Sequence, residues 1–181
     1  MGRTRFLREN YTMTEKILVT GGAGFIGSHT CIELLNNGNE VVVVDNLYNA
    51  NKKSLEVVER VTGKKVTFYE ADIRDEAKLD EIFEKEGNIF GVIHFAGLKA
   101  VGESCQLPLK YYDNNVAGTT TLCRVMEKHN CKNIIFSSSA TVYGDPHALP
   151  IKEDFPLSVT NPYGRTKLIL EEILGDVYAA D

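Results

Sequence analysis

Apolar and polar positions follow two periodicities along this chain, one typical of strands and one typical of helices. Segments with the two periodicities alternate. Short, strand-like apolar runs occupy residues 16–20, 40–45, 66–70, 91–95 and 133–137. Segments with helical spacing fill the gaps, at about 25–37, 54–62, 76–85, 108–129 and from 162 to the end. This β-α alternation, repeated five times, predicts a parallel sheet with helices on both faces.

The second strand-like run indicates how the sheet is covered. Val41, Val42, Val43 and Val44 are apolar and β-branched at consecutive positions, which predicts a strand that is buried on both faces. The order of elements matches the first part of a doubly wound, Rossmann-type nucleotide-binding fold. With 181 residues, the chain has the length of one domain. We assign residues 13–181 to that domain and expect residues 1–12 to be a flexible extension.

Composition removes several classes of function. A net charge of −5 argues against nucleic acid as the main partner, and no apolar run approaches the length of a membrane span. The four cysteines have no C-x-x-C spacing and the four histidines are scattered, so we expect a reduced, cytoplasmic protein without a metal site. An alternative for residues 1–12 is an Arg-rich organelle-targeting segment.

Three glycines directly follow the first strand-like run. Gly21, Gly24 and Gly27 form G-x-x-G-x-x-G between a predicted strand and a predicted helix. Gly21 would allow the tight turn, Gly24 the approach of a pyrophosphate, and Gly27 close packing of the helix. The helix N-terminus would then offer N–H groups and a positive dipole end to the phosphates. A turn without any ligand is the alternative.

Carboxylates follow the second and third strands, at the sheet edge where ligands bind. Asp45 can accept hydrogen bonds from both ribose hydroxyls of an adenosine and would repel a 2′-phosphate, which favours NAD over NADP. Asp72 can accept from the adenine amino group, with Ile73 beside the ring. The alternatives are a loop or capping role for Asp45, and helix capping by Asp72 or Asp75.

The end of the fourth strand has small residues where a cofactor could lie. Phe95 is followed by Ala96 and Gly97, which would let the cofactor contact the backbone, and Lys99 could reach a phosphate or a sugar hydroxyl. We interpret His94, inside the strand, as a core histidine rather than a catalytic base.

Tyr163 and Lys167 lie four residues apart at the start of the last predicted helix, so they share one face. A nearby ammonium stabilises a tyrosine phenolate and makes it usable as a base. Ser139, after the fifth strand, can present a hydroxyl to the same point and relay a proton. The alternative is a structural tyrosine with a solvated lysine.

Taken together, these motifs resemble the extended short-chain dehydrogenase/reductases and, within that family, the 4-epimerases that act on UDP-galactose and UDP-glucose. The resemblance runs from about Lys16 to the last residue. The runs that carry it are TGGAGFIGSHT (20–30), DNL (45–47), HFAGLKAVGES (94–104), YYDNN (111–115), SSSATVYG (137–144) and NPYG (161–164).

The resemblance implies a mechanism and further contacts. Tyr163 would take the proton of the sugar 4-hydroxyl while the C4 hydride passes to NAD and later returns to the other face of a 4-keto sugar. Ser139 would assist, Lys167 would tune Tyr163 and hold NAD, and Lys99 would also serve the substrate. The resemblance further implies NAD contacts at Phe25, Ile26, Asn46, Leu47, Asn49 and Asn114.

The resemblance also implies a homodimer, paired through the long helix and the last one. Related dehydratases carry an Asp-Glu pair where this chain has Ala140 and Thr141, so dehydration is not expected. Family members continue for about as many residues again, with the last strands and most of the uridine diphosphate site. We therefore expect this chain alone to bind NAD and to turn over sugar poorly, and its open sheet edge to favour association.

Two other functions stay open at this point. One is another nucleotide-sugar epimerase or a hydride-transferring dehydrogenase of the same family. The other is a non-catalytic NAD-binding module.

Overall fold

The computed structural model describes residues 14–180; the expected extension at 1–12 therefore lies outside the described residues. Five strands form one sheet: β1 Lys16–Thr20, β2 Glu40–Asp45, β3 Thr67–Glu70, β4 Ile89–His94 and β5 Asn133–Phe136. The α-helices are α1 Phe25–Asn36, α2 Lys53–Thr62, α3 Glu76–Glu86, α4 Val101–Gln106, α5 Pro108–Tyr111, α6 Gly118–Lys128 and α7 Pro162–Ala180.

All strand pairs are parallel, and the order across the sheet is β3-β2-β1-β4-β5. The connection after β3 crosses back over β1 and β2 to reach β4, so the order reverses between β1 and β4. The predicted doubly wound α/β fold is confirmed. Ligands of such sheets bind at the carboxyl ends of the strands, at this point of reversal.

The four valines of β2 divide between two hydrophobic cores, as the unbroken apolar run predicted. Val42 and Val44 pack on one face of the sheet with residues of α3 and α6, whereas Val41 and Val43 pack on the other with residues of α1 and α2. Each of the four is at most 3% exposed. Burial on both faces anchors the strand, so Asp45 at its end is held in a defined position.

Predicted helix boundaries are confirmed where glycine ends the helix. Gly63, after α2, has a φ of 68° and its N–H bonds to the carbonyl of Glu59. Gly38, just beyond α1, has a φ of 92°. Both values are left-handed, a conformation that glycine adopts without strain and that commonly ends a helix.

The long helix predicted at 108–129 is confirmed as one unbroken helical stretch from 108 to 128, but it is not α-helical throughout. The chain forms α5, then a π-helical segment at Tyr112–Ala117, and then α6. The preceding helix α4 and a short 3-10 helix at Ala140–Tyr143 were not predicted. The strand predicted at 91–95 begins two residues earlier, at Ile89, and the strand predicted at 66–70 begins one residue later, at Thr67. Wider π turns often occur at functional sites, and this one contains Asn114, one of the predicted cofactor contacts.

Candidate active site

A continuous cleft crosses the carboxyl edge of the sheet. It is lined from both sides of the point where the strand order reverses. The lining residues are Gly21, Gly24, Phe25, Ile26, Gly27, Val44, Asp45, Asn46, Tyr48, Asn49, Ala71, Ile73, Phe95, Ala96, Gly97, Leu98, Lys99, Asn114, Ser137, Ser138, Tyr163 and Lys167. Most of the predicted site residues therefore come together; Leu47, Asp72 and Ser139 are outside this lining.

Two of the three motif glycines are required by the backbone itself. Gly21 has a φ of 69°, and a Cβ there would lie 2.7 Å from the backbone nitrogen of Ala96. A Cβ on Gly27 would lie 2.3 Å from the carbonyl oxygen of Gly21, so any side chain would push the first turn of α1 off the loop. Gly24 differs, because its Cβ would meet only the Gly21 carbonyl, at 3.2 Å. Open space in front of Gly24 fits a ligand that approaches the backbone.

The N-terminus of α1 is suited to an anion. Its N-cap is Gly24, without a side-chain capping bond, and its first turn has no acidic residue. The first N–H groups of a helix have no partner within it, and they carry the positive end of the dipole. Phe25 and Ile26, in the same turn, are 79% and 55% exposed and line the cleft. Apolar side chains this exposed at a cleft mouth fit contact with a bound molecule.

Asp45 is buried at the end of β2, with both carboxylate oxygens already held by the backbone. Oδ2 accepts from the N–H of Ala23 at 3.0 Å, and Oδ1 accepts from the N–H of Leu47 at 2.8 Å. Each oxygen keeps a further lone pair, because a carboxylate offers about four acceptor sites. The carboxylate thus has a fixed orientation into the cleft and the capacity to accept from ribose hydroxyls.

Asp72 lies beside the cleft rather than in its lining. Its carboxylate pairs with the guanidinium of Arg74 at 2.8 Å and accepts from Asn46 Nδ2 at 3.0 Å. The bonds from Arg74 hold the pKa of Asp72 well below its usual range. Asp75, not Asp72, caps α3, accepting from the N–H of Lys78. Ile73 lines the cleft as predicted, whereas the adenine role of Asp72 stays a prediction.

His94 is a core histidine, as interpreted from the sequence. Its Nδ1 lies 2.6 Å from Thr20 Oγ1 and its Nε2 lies 2.8 Å from Thr119 Oγ1. Thr119 donates its hydroxyl proton to the carbonyl of Asn115, so its oxygen accepts from His94 Nε2–H and Thr20 donates to Nδ1. Burial lowers the pKa of His94 to about 3, with a smaller contribution from the charge of Lys167. The ring is therefore neutral and acts as a structural link.

Tyr163 is buried in the first turn of α7, and its hydroxyl-bearing side chain contributes to the cleft. Its backbone N–H donates to Ser104 Oγ at 3.1 Å, and the next N–H, of Gly164, donates to Asn161 Oδ1 at 2.8 Å. Helix N-termini leave such N–H groups without a partner in the helix itself. Two side chains, one of them from α4, therefore fix where α7 begins and where Tyr163 lies.

Lys167, one turn further along α7, is 6% exposed. Its ammonium donates to the carbonyl of Ser137 at 2.7 Å and lies 4.6 Å from the ring centre of Phe136. Burial lowers its pKa to about 8, partly offset by the charge of Glu171. Near neutral pH the side chain is still mostly protonated. It supplies a buried positive charge on the face of α7 that carries Tyr163.

Ser139 begins the 3-10 helix that follows β5. Its Oγ accepts from the N–H of Thr141 at 3.2 Å and from the Thr141 hydroxyl at 3.0 Å. The two preceding serines line the cleft, and the Ser138 hydroxyl bonds to the carboxylate of Glu171 on α7. The serine run thus lies next to Tyr163 and Lys167 in the fold, and the proton-relay role of Ser139 stays a prediction.

Sequence reasoning missed Asn115, which is buried and joins three elements. Its Oδ1 accepts from the N–H of Leu98 at 2.8 Å, and its Nδ2 donates to the carbonyl of Leu98 at 2.9 Å and to Thr166 Oγ1 at 3.1 Å. It thereby ties the strand-four loop to the π-helical segment and to α7. The adjacent Asn114, which was predicted, donates to Asn115 Oδ1 at 2.9 Å and lines the cleft. The paired asparagines were the available signal.

Within residues 14–180, no three His, Cys, Asp or Glu side chains are grouped so that they could hold a metal ion. None of the helices in that range is long and apolar enough to cross a bilayer.

Comparison with known proteins agrees with this geometry. Over 167 residues the chain is 63% identical to the UDP-glucose 4-epimerase of Dictyostelium discoideum, and over 165 residues it is 62% identical to that of Bacillus subtilis. These matches cover 92% and 91% of the chain and 48% of each relative, so the chain spans about half the length of the relatives it matches.

A solved UDP-glucose 4-epimerase from Bifidobacterium longum, in complex with NAD+ and UDP, is 59% identical and superposes with a TM-score of 0.89. The superposition covers 92% of this chain and 50% of that structure. Residues 17–180 match the model of a family described as the NAD dependent epimerase/dehydratase family. With the match spanning the whole sheet and the cleft, this chain belongs to the NAD dependent epimerase/dehydratase family.

Proposed function

We propose that this chain is the cofactor-binding and catalytic part of an NAD-dependent UDP-glucose 4-epimerase. The observation that carries the proposal is one cleft lined both by the glycine loop, which contains Gly21, Gly24 and Gly27, and by the pair Tyr163 and Lys167. Similarity to UDP-glucose 4-epimerases over nearly the whole chain supports the choice of reaction. The substrates we propose are UDP-galactose and UDP-glucose.

The residues of the cleft fit NAD. The N–H groups at the start of α1 would hold the pyrophosphate, with Gly24 leaving room for its approach. Asp45 would accept from the adenosine ribose hydroxyls, and its negative charge disfavours a 2′-phosphate. Phe95, Ala96, Gly97, Lys99 and Asn114 would line the nicotinamide half, on the β4 side of the cleft.

The side chains of the chain supply acid–base chemistry. When bound, NAD accepts the hydride of sugar C4 and returns it. Tyr163 takes the proton of the 4-hydroxyl and later gives it back. The buried ammonium of Lys167 stabilises the phenolate, because opposite charges interact strongly away from water. Ser139 shares the hydrogen bond of the 4-hydroxyl in this proposal.

Two finer assignments belong to the same proposal. Exposed apolar side chains on α5 and α7, Leu109 at 80% and Val177 at 48%, support pairing of two copies through these helices. Four unpaired cysteines support a reducing compartment, which we take to be the cytoplasm.

The test is epimerase turnover by protein that carries this sequence, with Tyr163→Phe. We expect turnover to fall at least about 100-fold, as is typical when an acid–base group is removed. Tyr178→Phe, on the same helix but 87% exposed, is the matched control and should keep full turnover. Absorbance at 340 nm is recorded in parallel.

Each other outcome identifies another function. Net accumulation of NADH with the sugar nucleotide would indicate a dehydrogenase. NAD binding without turnover in the unaltered protein would indicate a non-catalytic NAD module. Equal turnover in the two tyrosine variants would refute the role of Tyr163.

A further inference from the structure

A direct contact bridges the loop after β2 and helix α5. The ammonium of Lys110, on α5, donates to the hydroxyl of Tyr48 at 2.8 Å and lies 4.9 Å from the centre of its ring. The two residues are 62 positions apart in the chain. Neither was among the residues predicted to bind the cofactor.

The two ends of the bridge come from the two sides of the point where the strand order reverses. Tyr48 follows β2 and Lys110 belongs to the segment that follows β4, and these strands flank β1 on opposite sides. The glycine loop follows β1 and thus lies between the two ends of the bridge. Tyr48 itself is part of the cleft lining and is 61% exposed.

The Tyr48 end is held by the loop. Leu47 has a φ of 56°, a left-handed conformation that costs a leucine free energy and turns the chain there. Asp45 Oδ1 accepts from the N–H of Leu47 at 2.8 Å, and Asn46 Oδ1 accepts from the N–H of Tyr48 at 3.1 Å. The carboxylate proposed to bind ribose therefore also positions Tyr48.

The Lys110 end is held by a partly exposed ion pair that is anchored to a buried tyrosine. Glu103 Oε1 accepts from Lys110 at 2.9 Å, and Glu103 Oε2 accepts from the Tyr111 hydroxyl at 2.7 Å. Tyr111 is fully buried, and its hydroxyl also accepts from the N–H of Ala100 at 3.1 Å. Ala100 is the neighbour of Lys99 in the cleft lining. Lys110 is therefore held in place before it contacts Tyr48, which reduces the entropy lost on forming the bridge.

We propose that Tyr48 and Lys110 form a clasp that retains the dinucleotide in the cleft. The clasp rests on the proposed function, since its occupant is NAD. The dinucleotide leaves only after the bond between the two side chains breaks and the Tyr48 loop moves away from α5. The clasp acts on release of the cofactor and not on the proton transfer at Tyr163.

The test measures release of NAD from protein carrying this sequence, by chase with excess ADP-ribose. Tyr48→Phe removes the hydroxyl but keeps the ring, and Lys110→Met removes the charge but keeps the length. We expect release about 3- to 10-fold faster in each, as for loss of an exposed, charge-assisted bond. Lys128→Met, which removes a 2.7 Å surface ion pair with Asp80 remote from the cleft, is the matched control.

The double variant completes the test. Because both substitutions break the same contact, the double variant should release NAD no faster than the faster single variant. Two results would overturn the clasp alone. One is NAD release at the unaltered rate in both single variants, and the other is a release rate in the double variant that is increased by the product of the two single increases. Failure of the unaltered protein to bind NAD would overturn the proposed function together with the clasp.

Discussion

The backbone N–H of Tyr163 donates a hydrogen bond to the side-chain oxygen of Ser104, 59 positions earlier in the chain. Ser104 is fully buried and donates its own proton to the carbonyl of Val101 at 2.6 Å. One hydroxyl thus caps the start of α7 from another helix. A residue of α4 therefore holds the backbone of the proposed base in place.

Replacement of this cap should weaken the fold. In Ser104→Ala the N–H of Tyr163 loses its partner in a buried position, and we expect the free energy of unfolding to fall by about 1–2 kcal/mol. Urea denaturation measures the change. Cys105→Ala, at the exposed neighbouring position, is the control. Equal midpoints for the two variants would show that the cap carries no stability.

Gly24 and Gly27 should separate ligand binding from packing. Gly27→Ala places a Cβ 2.3 Å from a carbonyl oxygen, so we expect a loss of at least about 2 kcal/mol of stability. Gly24→Ala meets nothing closer than 3.2 Å, and should fold while binding NAD at least about 10-fold more weakly. Calorimetry measures both quantities.

A third glycine serves as the control for the first two. Gly175, inside α7, has no atom within 4 Å of a built Cβ. Gly175→Ala should therefore stabilise the protein by about 0.5–1 kcal/mol. Normal NAD affinity in Gly24→Ala would contradict the proposed path of the pyrophosphate.

Stability should rise with pH where Lys167 loses its proton. Its pKa is lowered from 10.5 to about 8 in the folded chain. Between pH 8 and pH 10.5 the unfolded chain binds more protons than the folded chain. The free-energy cost of burying the charged side chain therefore decreases as the pH rises. Lys167→Met does not bury a charge, so its stability relative to the unaltered protein should fall by about 2 kcal/mol between pH 7.5 and pH 10. A difference that does not change with pH would contradict the burial argument.

At low pH, the stability of the protein should depend on His94. Its pKa is about 3 in the folded chain and 6.5 ordinarily. Between these pH values, the histidine is protonated in the unfolded chain but not in the folded chain. Stability should therefore decrease as the pH falls below about 6.5, by about 2 kcal/mol between pH 7 and pH 5. His94→Gln, which does not titrate, should lack that part of the decrease. Identical pH profiles would show that another group is responsible.

Local pattern was enough for much of the fold. The positions of β1 and β2, the ends of α1 and α2 at glycines, and the strand–glycine–helix unit depend on neighbouring residues, because burial periodicity and backbone conformation act over a few positions. The i, i+4 spacing placed Tyr163 and Lys167 on one face for the same reason. Even the core role of His94 followed from its position inside an apolar strand.

Only the tertiary structure decided which distant polar groups meet. The π-helical segment within the predicted long helix contains Asn115, whose contacts with Leu98 and Thr166 no periodicity predicts. Asn46 donates to Asp72 because β2 pairs with β3, and Tyr48 meets Lys110 although their strands, β2 and β4, lie on opposite sides of β1. Periodicity tells how much of each residue is buried, whereas a hydrogen bond depends on the position and direction of two atoms, which only the packed chain determines.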